Sequence, residues 1–399
     1  MLALPGGRCA ANLPPMSDAP LVSPPGGAPP PPGAFRARLP LTVLTVLILL
    51  VCGLLSLGVV TWEVGVDGLV YGVLLAALPV GPVLACVLWL DRHEAEPPHL
   101  LAFAFGWGAC VATFGSLVLN TAGSLLLLRT PGSLADPSVV IAPVVEESLK
   151  GAAVLLLLWR QRRHFDGVVD GIVYAAFVGV GFAFLENVLY LGRALATDGV
   201  ASLAVVFVLR CIASPFAHPL FTMAFGVGLG IAARHRNVLV RLGAPVLGFC
   251  VAVALHALWN ASASAGLFLP AYVLLQMPVF ALAVALALVA RAREAHLIAK
   301  HLQVYAETGW LTDAEVHMLA SPRRRREARA WALGAGGLQG RAAMGEFQNL
   351  ATALAFRRDR AQRGTDVRVV EDELTLLHRI AVARRAFLAP LAVGHGALR

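Results

Sequence analysis

The sequence predicts an all-α fold: a polytopic transmembrane helix bundle of about eight spans with a small helical cytoplasmic tail domain. Three observations predict it. Of 399 residues, 58% are hydrophobic and 14% are charged, where a soluble globular chain carries about 25% charged residues. Apolar stretches long enough to cross a hydrocarbon core of about 30 Å, which takes about 20 residues per helix, recur at 40–61, 67–90, 99–128, 138–159, 170–192, 201–233, 242–265 and 270–290. Arginines gather in alternate loops between them, and the mean hydropathy is +0.73.

The segment 1–38 is dominated by Pro, Gly and Ala, with a proline run at Pro29–Pro32. It lacks the charged start and apolar centre of a cleavable signal peptide, so it reads as a disordered cytoplasmic leader. Residues 39–291 form the membrane domain. Its third and sixth spans are long enough to tilt or bend, and Pro215 and Pro219 predict a break in the sixth. Orientation follows the excess of Lys and Arg in cytoplasmic loops. Arg36 and Arg38 precede the first span, Arg160, Arg162 and Arg163 follow the fourth, Arg234, Arg236 and Arg241 the sixth, and Arg291 and Arg293 the eighth. The opposite loops carry little beyond Arg129 and Arg193. Both termini are therefore expected in the cytoplasm, in a multi-pass protein of the cell membrane. The pI of 9.6 reflects this bias and the tail, and does not argue for a nucleic-acid partner. Five of the six cysteines fall in apolar spans and none forms a CxxC pair, so neither a disulfide framework nor a thiolate zinc site is indicated.

The tail, 292–399, is polar. Thr312-Asp313-Ala314-Glu315 has the pattern of a capping box, and Ser321-Pro322 followed by Arg323–Arg326 reads as a second helix start, with a cationic first turn that opposes the macrodipole. That arginine run is expected to be a solvated face, contact with anionic lipid headgroups being the alternative. Gly334–Gly337 reads as a hinge and not as a phosphate loop.

Glu146, Glu147 and Lys150 stand in the otherwise apolar stretch Ile141–Trp159. A charge at the centre of a span costs roughly 2.5–3.5 kcal/mol on insertion scales, so an intramembrane acid needs a reason. The only lysines of the chain are Lys150 and Lys300. Glu146 and Lys150, four apart, share a helix face, while Glu147 is rotated by about 100°. The fifth span adds Glu186 and Asn187, the sixth His218 between Ala217 and Pro219, and the seventh His256 and Asn260, again four apart. Counted from the outer ends of their spans, Glu146, Glu186 and His256 lie at a common depth of roughly 9–15 Å, and a bent sixth helix brings His218 to it. A common depth predicts one buried polar cavity in the outer half of the membrane, against the alternative of separate helix-locking salt bridges and hydrogen bonds.

Carboxylates and imidazoles so placed can bind a divalent metal such as zinc, or a buried glutamate can activate water directly. Both support hydrolysis. A proton-coupled transporter also needs buried acids, but should show internal repeat symmetry, and no convincing repeat relates the two halves.

Three motifs, EExxK at Glu146–Lys150, FxxxE at Phe182–Glu186 and HxxxN at His256–Asn260, in this order and in successive hydrophobic segments, resemble those of the PrsW family of intramembrane proteases. This family belongs to a larger group with the type II CAAX prenyl endopeptidases and bacteriocin-immunity proteins. Pro215-Phe216-Ala217-His218 and the loop from Asp91 to Pro97 are similar to further family features. The resemblance covers about residues 40–295 and implies an intramembrane endopeptidase, described in the family as a metalloprotease, that cuts a membrane-anchored protein such as an anti-sigma factor. A prenyl-protein endopeptidase is the alternative on the same scaffold, although CAAX relatives carry His where this chain has Glu186. On this resemblance Glu146 is expected as general base, with Glu147 and Glu186 completing the acidic cluster, Lys150 compensating charge, and Asn260 stabilising the oxyanion or orienting His256. If zinc binds, the expected ligands are Glu147, Glu186, His218 and His256. The partners expected are the substrate and the lipid bilayer, and the cut is expected near the outer leaflet.

Overall fold

The computed structural model describes residues 33–92, 95–128, 136–162, 165, 167–363 and 369–396. Most of the expected leader, 1–32, and the loop carrying Arg129 lie outside the described residues, and 33–38 are helical. The chain divides into two units, Met1–Thr42 and Val43–Arg399, and the second holds the whole bundle and the tail.

The helices are α1 (Gly33–Leu90), α2 (Pro98–Gly106), α3 (Thr113–Leu128), α4 (Pro137–Val140), α5 (Ala142–Arg160), α6 (Val168–Phe207), α7 (Ala217–Arg234), α8 (Val238–Ser264), α9 (Phe268–Ala271), α10 (Met277–Glu307), α11 (Asp313–Leu319), α12 (Pro322–Gln362) and α13 (Val369–Gly396). Wider π turns fill Trp107–Ala112, Val208–Ala213 and Tyr272–Gln276. No strand occurs among the described residues, and the chain is an integral membrane protein by its apolar helices.

Five helical stretches are long and apolar enough to cross a membrane: Thr42–Leu90, Pro98–Leu127, Val168–Arg234, Val238–Ser264 and Phe268–Glu307. Two of them, of 49 and 67 residues, have at least twice the needed length and each contains a glycine at positive φ, Gly65 (φ 71°) and Gly199 (φ 77°). At Gly199 the chain reverses. Before and after it, Glu186 and Asn187 meet Arg210, Gly179 meets Pro219, and Gly171 meets Gly226. At Gly65 the helix is likewise broken (φ 71°), and beyond it Gly68 and Gly72 reach Gly192 and Val188 in turn, antiparallel to α6. Only glycine adopts this left-handed region without strain. The breaks at Gly65 and Gly199 divide the five apolar stretches into seven segments, and α5, with its three ionisable residues, is an eighth.

The α6–α7 hairpin is the centre of the bundle. A Cβ placed on Gly226 would lie 2.1 Å from the Gly171 carbonyl oxygen, and one on Gly171 equally close to that of Gly226. In lipid, where helices associate by close packing, small residues at the seam permit this approach. The buried core around Val173–Val178 joins α6 to Val87, Leu100, Leu101, Ala153, Val154 and Leu229. Apolar side chains on the outer faces, Leu54, Trp62, Leu126 and Leu274 among them, are exposed as lipid-facing residues are.

Beyond the last apolar segment, α10 to α13 close a second core around Ile298, Leu302, Leu319, Phe347, Leu354 and Ile380. The expected capping box is present: Glu315 N–H donates to Thr312 Oγ1 (3.2 Å), and Thr312 N–H to Glu315 Oε2 (2.8 Å). The expected glycine hinge is the turn of a helical hairpin within α12, with Gly337 at φ 60°, so that Arg325 meets Thr352 and Arg329 meets Gln348.

Candidate active site

Four helices carry ionisable groups to one point. On α5, Glu146, Glu147 and Lys150 are all buried, with Lys150 at 0% exposure. α5 is held at this depth by Trp107, whose indole N–H donates to the Leu149 carbonyl (3.0 Å) from the first π turn. α6 brings Glu186. The helix break expected from Pro215 lies at Ser214–Phe216, and α7 restarts with His218 in its first turn. α8 brings His256.

The Lys150 ammonium is the hub. It donates to Glu147 Oε1 (2.9 Å) and Glu146 Oε2 (3.2 Å), and stands 3.1 Å from His218 Nδ1. It also lies 3.7 Å from the centroid of the Phe182 ring, the aromatic residue of the FxxxE motif. A buried cation between two carboxylates offsets charges that lipid and protein would otherwise leave unsolvated.

Each histidine has a carboxylate partner, and these partners decide which ring nitrogen is open. His256 Nδ1 lies 3.0 Å from Glu147 Oε1, so its N–H is on that nitrogen and Nε2 keeps a lone pair, 3.8 Å from Glu146 Oε2. His218 Nε2 lies 2.6 Å from Glu186 Oε2, which leaves Nδ1 as acceptor beside Lys150. Glu147 is filled by donors, since Thr222 Oγ1 donates to its second oxygen (2.9 Å). Glu186 is held by Arg210, which also donates to Asn187 Oδ1 (2.6 Å). Glu146 receives Asn120 Nδ2 (3.2 Å) on one oxygen and Lys150 on the other.

These contacts leave a metal-compatible donor group: one oxygen of Glu146 and one nitrogen each of His218 and His256, all within 4.8 Å of one another and all buried. Two imidazoles and a carboxylate with one position left over match the donor set of catalytic zinc sites. This differs from the expected ligand set, in which Glu147 and Glu186 took part. Both Glu147 oxygens take hydrogen bonds, from Lys150, His256 and Thr222, while Glu186 Oε2 meets both His218 and Arg210.

Asn260 also departs from expectation. Its amide donates to the Ser138 carbonyl (2.7 Å), so it ties α8 to α4 and is turned to the backbone instead of to His256. Sequence reasoning misses Asn120, Thr222 and Arg210. The first two are ordinary helix residues to the eye, but Arg210, alone in the apolar run from Ala201 to Ile212, is as costly as Glu146.

An all-helical membrane bundle with a buried carboxylate, imidazole and ammonium centre defines a class: polytopic proteins with an intramembrane polar site. The family model described as PrsW family intramembrane metalloprotease matches residues 96–283, which contain every residue of this centre. The chain is 31% identical over 156 residues to Protease PrsW of Clostridioides difficile strain 630, covering 37% of this chain and 62% of the relative. It is 30% identical over 166 residues to Protease PrsW of Geobacillus kaustophilus strain HTA426, covering 41% and 67%, and 32% identical over 122 residues to Protease PrsW of Bacillus subtilis strain 168, covering 30% and 54%. This chain belongs to the PrsW family. No solved structure matches it.

Proposed function

We propose that this protein is an intramembrane endopeptidase that hydrolyses a peptide bond of a membrane-anchored protein. The observation that carries the reading is the convergence of Glu146, His218 and His256, all buried, with one ligand atom from each within 4.8 Å of the others.

In this mechanism Glu146 takes a proton from water as the hydroxyl adds to the scissile carbonyl carbon, and the proton passes to the leaving nitrogen as the C–N bond breaks. Lys150 balances the negative charge that develops beside it, and Asn120 holds the other Glu146 oxygen in place. Glu147, Thr222, Glu186 and Arg210 keep the two imidazoles in the tautomers that point lone pairs at the cavity. Should a divalent cation bind, Glu146, His218 and His256 would hold it, zinc by donor type, with Glu146 then a ligand and not the base, and the cation would lower the pKa of a coordinated water and polarise the carbonyl. The buried backbone of a helical substrate has its carbonyls paired, so a segment that is unwound or poor in helix formers is the better substrate.

On this reading the protein sits in the cell membrane with both termini in the cytoplasm, and the polar centre is nearer the opposite face. The even number of segments and the loop arginines support this orientation. An anti-sigma factor or a similar single-span regulator is the substrate class proposed. The test is cleavage of single-span reporter proteins by purified enzyme in proteoliposomes, with product termini mapped by mass spectrometry. Cleavage by the wild type and none by Glu146→Gln is the expected result, and equal cleavage by both would exclude Glu146 as the base.

A further inference from the structure

A cavity of about 180 Å³ opens beside the polar centre, between the start of α7, the end of α8 and the π turn that leads into α10. Phe221 is the wall that the two share. It lines the cavity, its ring stacks on the His256 imidazole with centroids 5.0 Å apart, and it meets His218 edge-on at 5.8 Å. Two further lining residues, Ala217 and Leu255, immediately precede His218 and His256 in the chain. A single aromatic ring thus stands between this space and the imidazoles.

The walls are apolar. Phe216, Leu220, Trp259, Val279 and Phe280 form most of them, and no charged side chain lines the space among the described residues. The hydroxyls of Tyr272 and Ser214 are turned to the backbone, donating to the Ala213 and Leu209 carbonyls at 2.6 Å each. An apolar cavity of about 150 Å³ accepts a benzene molecule, so this one has room for one aromatic or large aliphatic side chain. Leu258, Leu275 and Met277, which also line it, are exposed, so its mouth opens on the lipid-facing side of the bundle.

One polar atom of this wall is left over. Gln276 Nε2 donates to Ser262 Oγ (3.3 Å), whose own proton goes to the Trp259 carbonyl (2.8 Å), and these two bonds fix which end of the amide faces Ser262. Gln276 Oε1 is buried and has no hydrogen-bond partner among the described residues. A buried acceptor is destabilising until a donor reaches it. The acyl chain of a lipid has no donor to offer and is far longer than the cavity. An unwound peptide segment offers a main-chain N–H at every residue except proline, next to the side chain that fills the space.

We infer that this cavity is a specificity pocket for one large apolar side chain of the substrate, at the first or second residue from the scissile bond. The inference rests on the proteolytic reading of the polar centre. An extended chain rises about 3.3 Å per residue, so a pocket whose wall stands one ring, 5.0 Å between centroids, from His256 is within reach of those two residues. A charged residue is rejected, because nothing in the wall replaces its water.

The test uses the full-length enzyme in proteoliposomes and a single-span reporter whose cut has been mapped, with Ala, Leu, Phe or Asp placed in turn at the two residues on each side of it. At one position kcat/KM should rise about 10–200-fold from Ala to Leu or Phe, the range for filling a hydrophobic pocket, and fall below Ala for Asp. Val279→Phe, which narrows the cavity, should erase that preference, and Phe280→Ala, which widens it, should move the optimum to Trp. Leu274→Phe, exposed and outside the wall, should keep the wild-type order. Each ratio is taken with one enzyme and so does not depend on how much of a variant folds. Should neither wall variant cleave, crosslinking decides: a reporter with benzoylphenylalanine scanned through its span should label Leu275 or Met277 of Glu146→Gln, in competition with the Phe reporter and not with the Ala reporter. Such crosslinks without cleavage by the wild type would sink the proteolytic reading and keep the cavity as a peptide-docking pocket. Cleavage with no side-chain preference, a preference that survives both wall variants, or lipid retained in the cavity in place of peptide overturns the pocket and leaves proteolysis standing. Neither cleavage nor crosslinks overturns both.

Discussion

His256 Nδ1 stands 3.0 Å from Glu147 Oε1, a contact across 109 residues that decides which nitrogen of the imidazole carries the proton. On the proposed mechanism Glu147 positions the histidine and Glu146 is the base. Glu146→Gln should lower the rate by about 10²–10⁴, the usual contribution of a general base. Glu147→Gln should cost less, about 10–100-fold, as loss of a partner behind a functional histidine does. Rates of reporter cleavage for both variants at equal protein level check the order, and a larger loss in Glu147→Gln would reverse the two roles.

Lys150 is fully buried between Glu146 and Glu147. Lys150→Met keeps most of the volume but leaves two buried carboxylates without their cation, and removing one partner of a buried ion pair costs about 3–5 kcal/mol. Thermal unfolding in detergent should show a large fall in Tm and a low yield. A Tm equal to wild type would mean that the carboxylates are protonated in the folded protein and do not depend on the ammonium.

Metal content separates two forms of the chemistry. Elemental analysis of the purified protein should find a divalent cation in the wild type and its loss in His218→Ala/His256→Ala, with the fold retained by circular dichroism. Full cleavage by metal-free protein would show that Glu146 activates water without a metal and that the imidazoles act as hydrogen-bonding groups.

Gly179 carries no polar atom to the centre, yet a Cβ there would lie 2.7 Å from Pro219 Cα and 3.0 Å from the His218 carbonyl carbon. Gly179→Leu should push the start of α7 away from α6, at about 1–3 kcal/mol for overpacking, and move His218 out of reach. Cleavage should fall more than that of Gly81→Leu, where no atom lies within 4 Å. Equal activity in the two would show that the position of His218 tolerates displacement.

Reporter fusions at residues 38, 165 and 295 should all report the cytoplasm. One external result would reverse the orientation drawn from the arginines, and with it the expected cut near the outer leaflet.

The membrane bundle is legible in the chain because hydropathy and charge are summed over a single segment, and a span does not need its neighbours to be recognised. The polar centre is legible for a related reason: an acid, a lysine or a histidine in an apolar helix is expensive wherever it ends up, so Glu146, Glu147, Lys150, Glu186, His218 and His256 each stand out alone. Arg210 stands out by the same cost, but no motif includes it. Roles are not legible, because they depend on distances between helices. Glu146 and Glu147 are adjacent and chemically alike, and only the packing of α5 against α7 and α8 directs Thr222 and His256 to one of them. Glu186 meets Arg210 only because the reversal at Gly199 brings that arginine back beside it. The arginine run at 323–326 reads as a solvated face, and Arg323, Arg324 and Arg326 are exposed, while Arg325 is buried because the return of the α12 hairpin sets Thr352 against it.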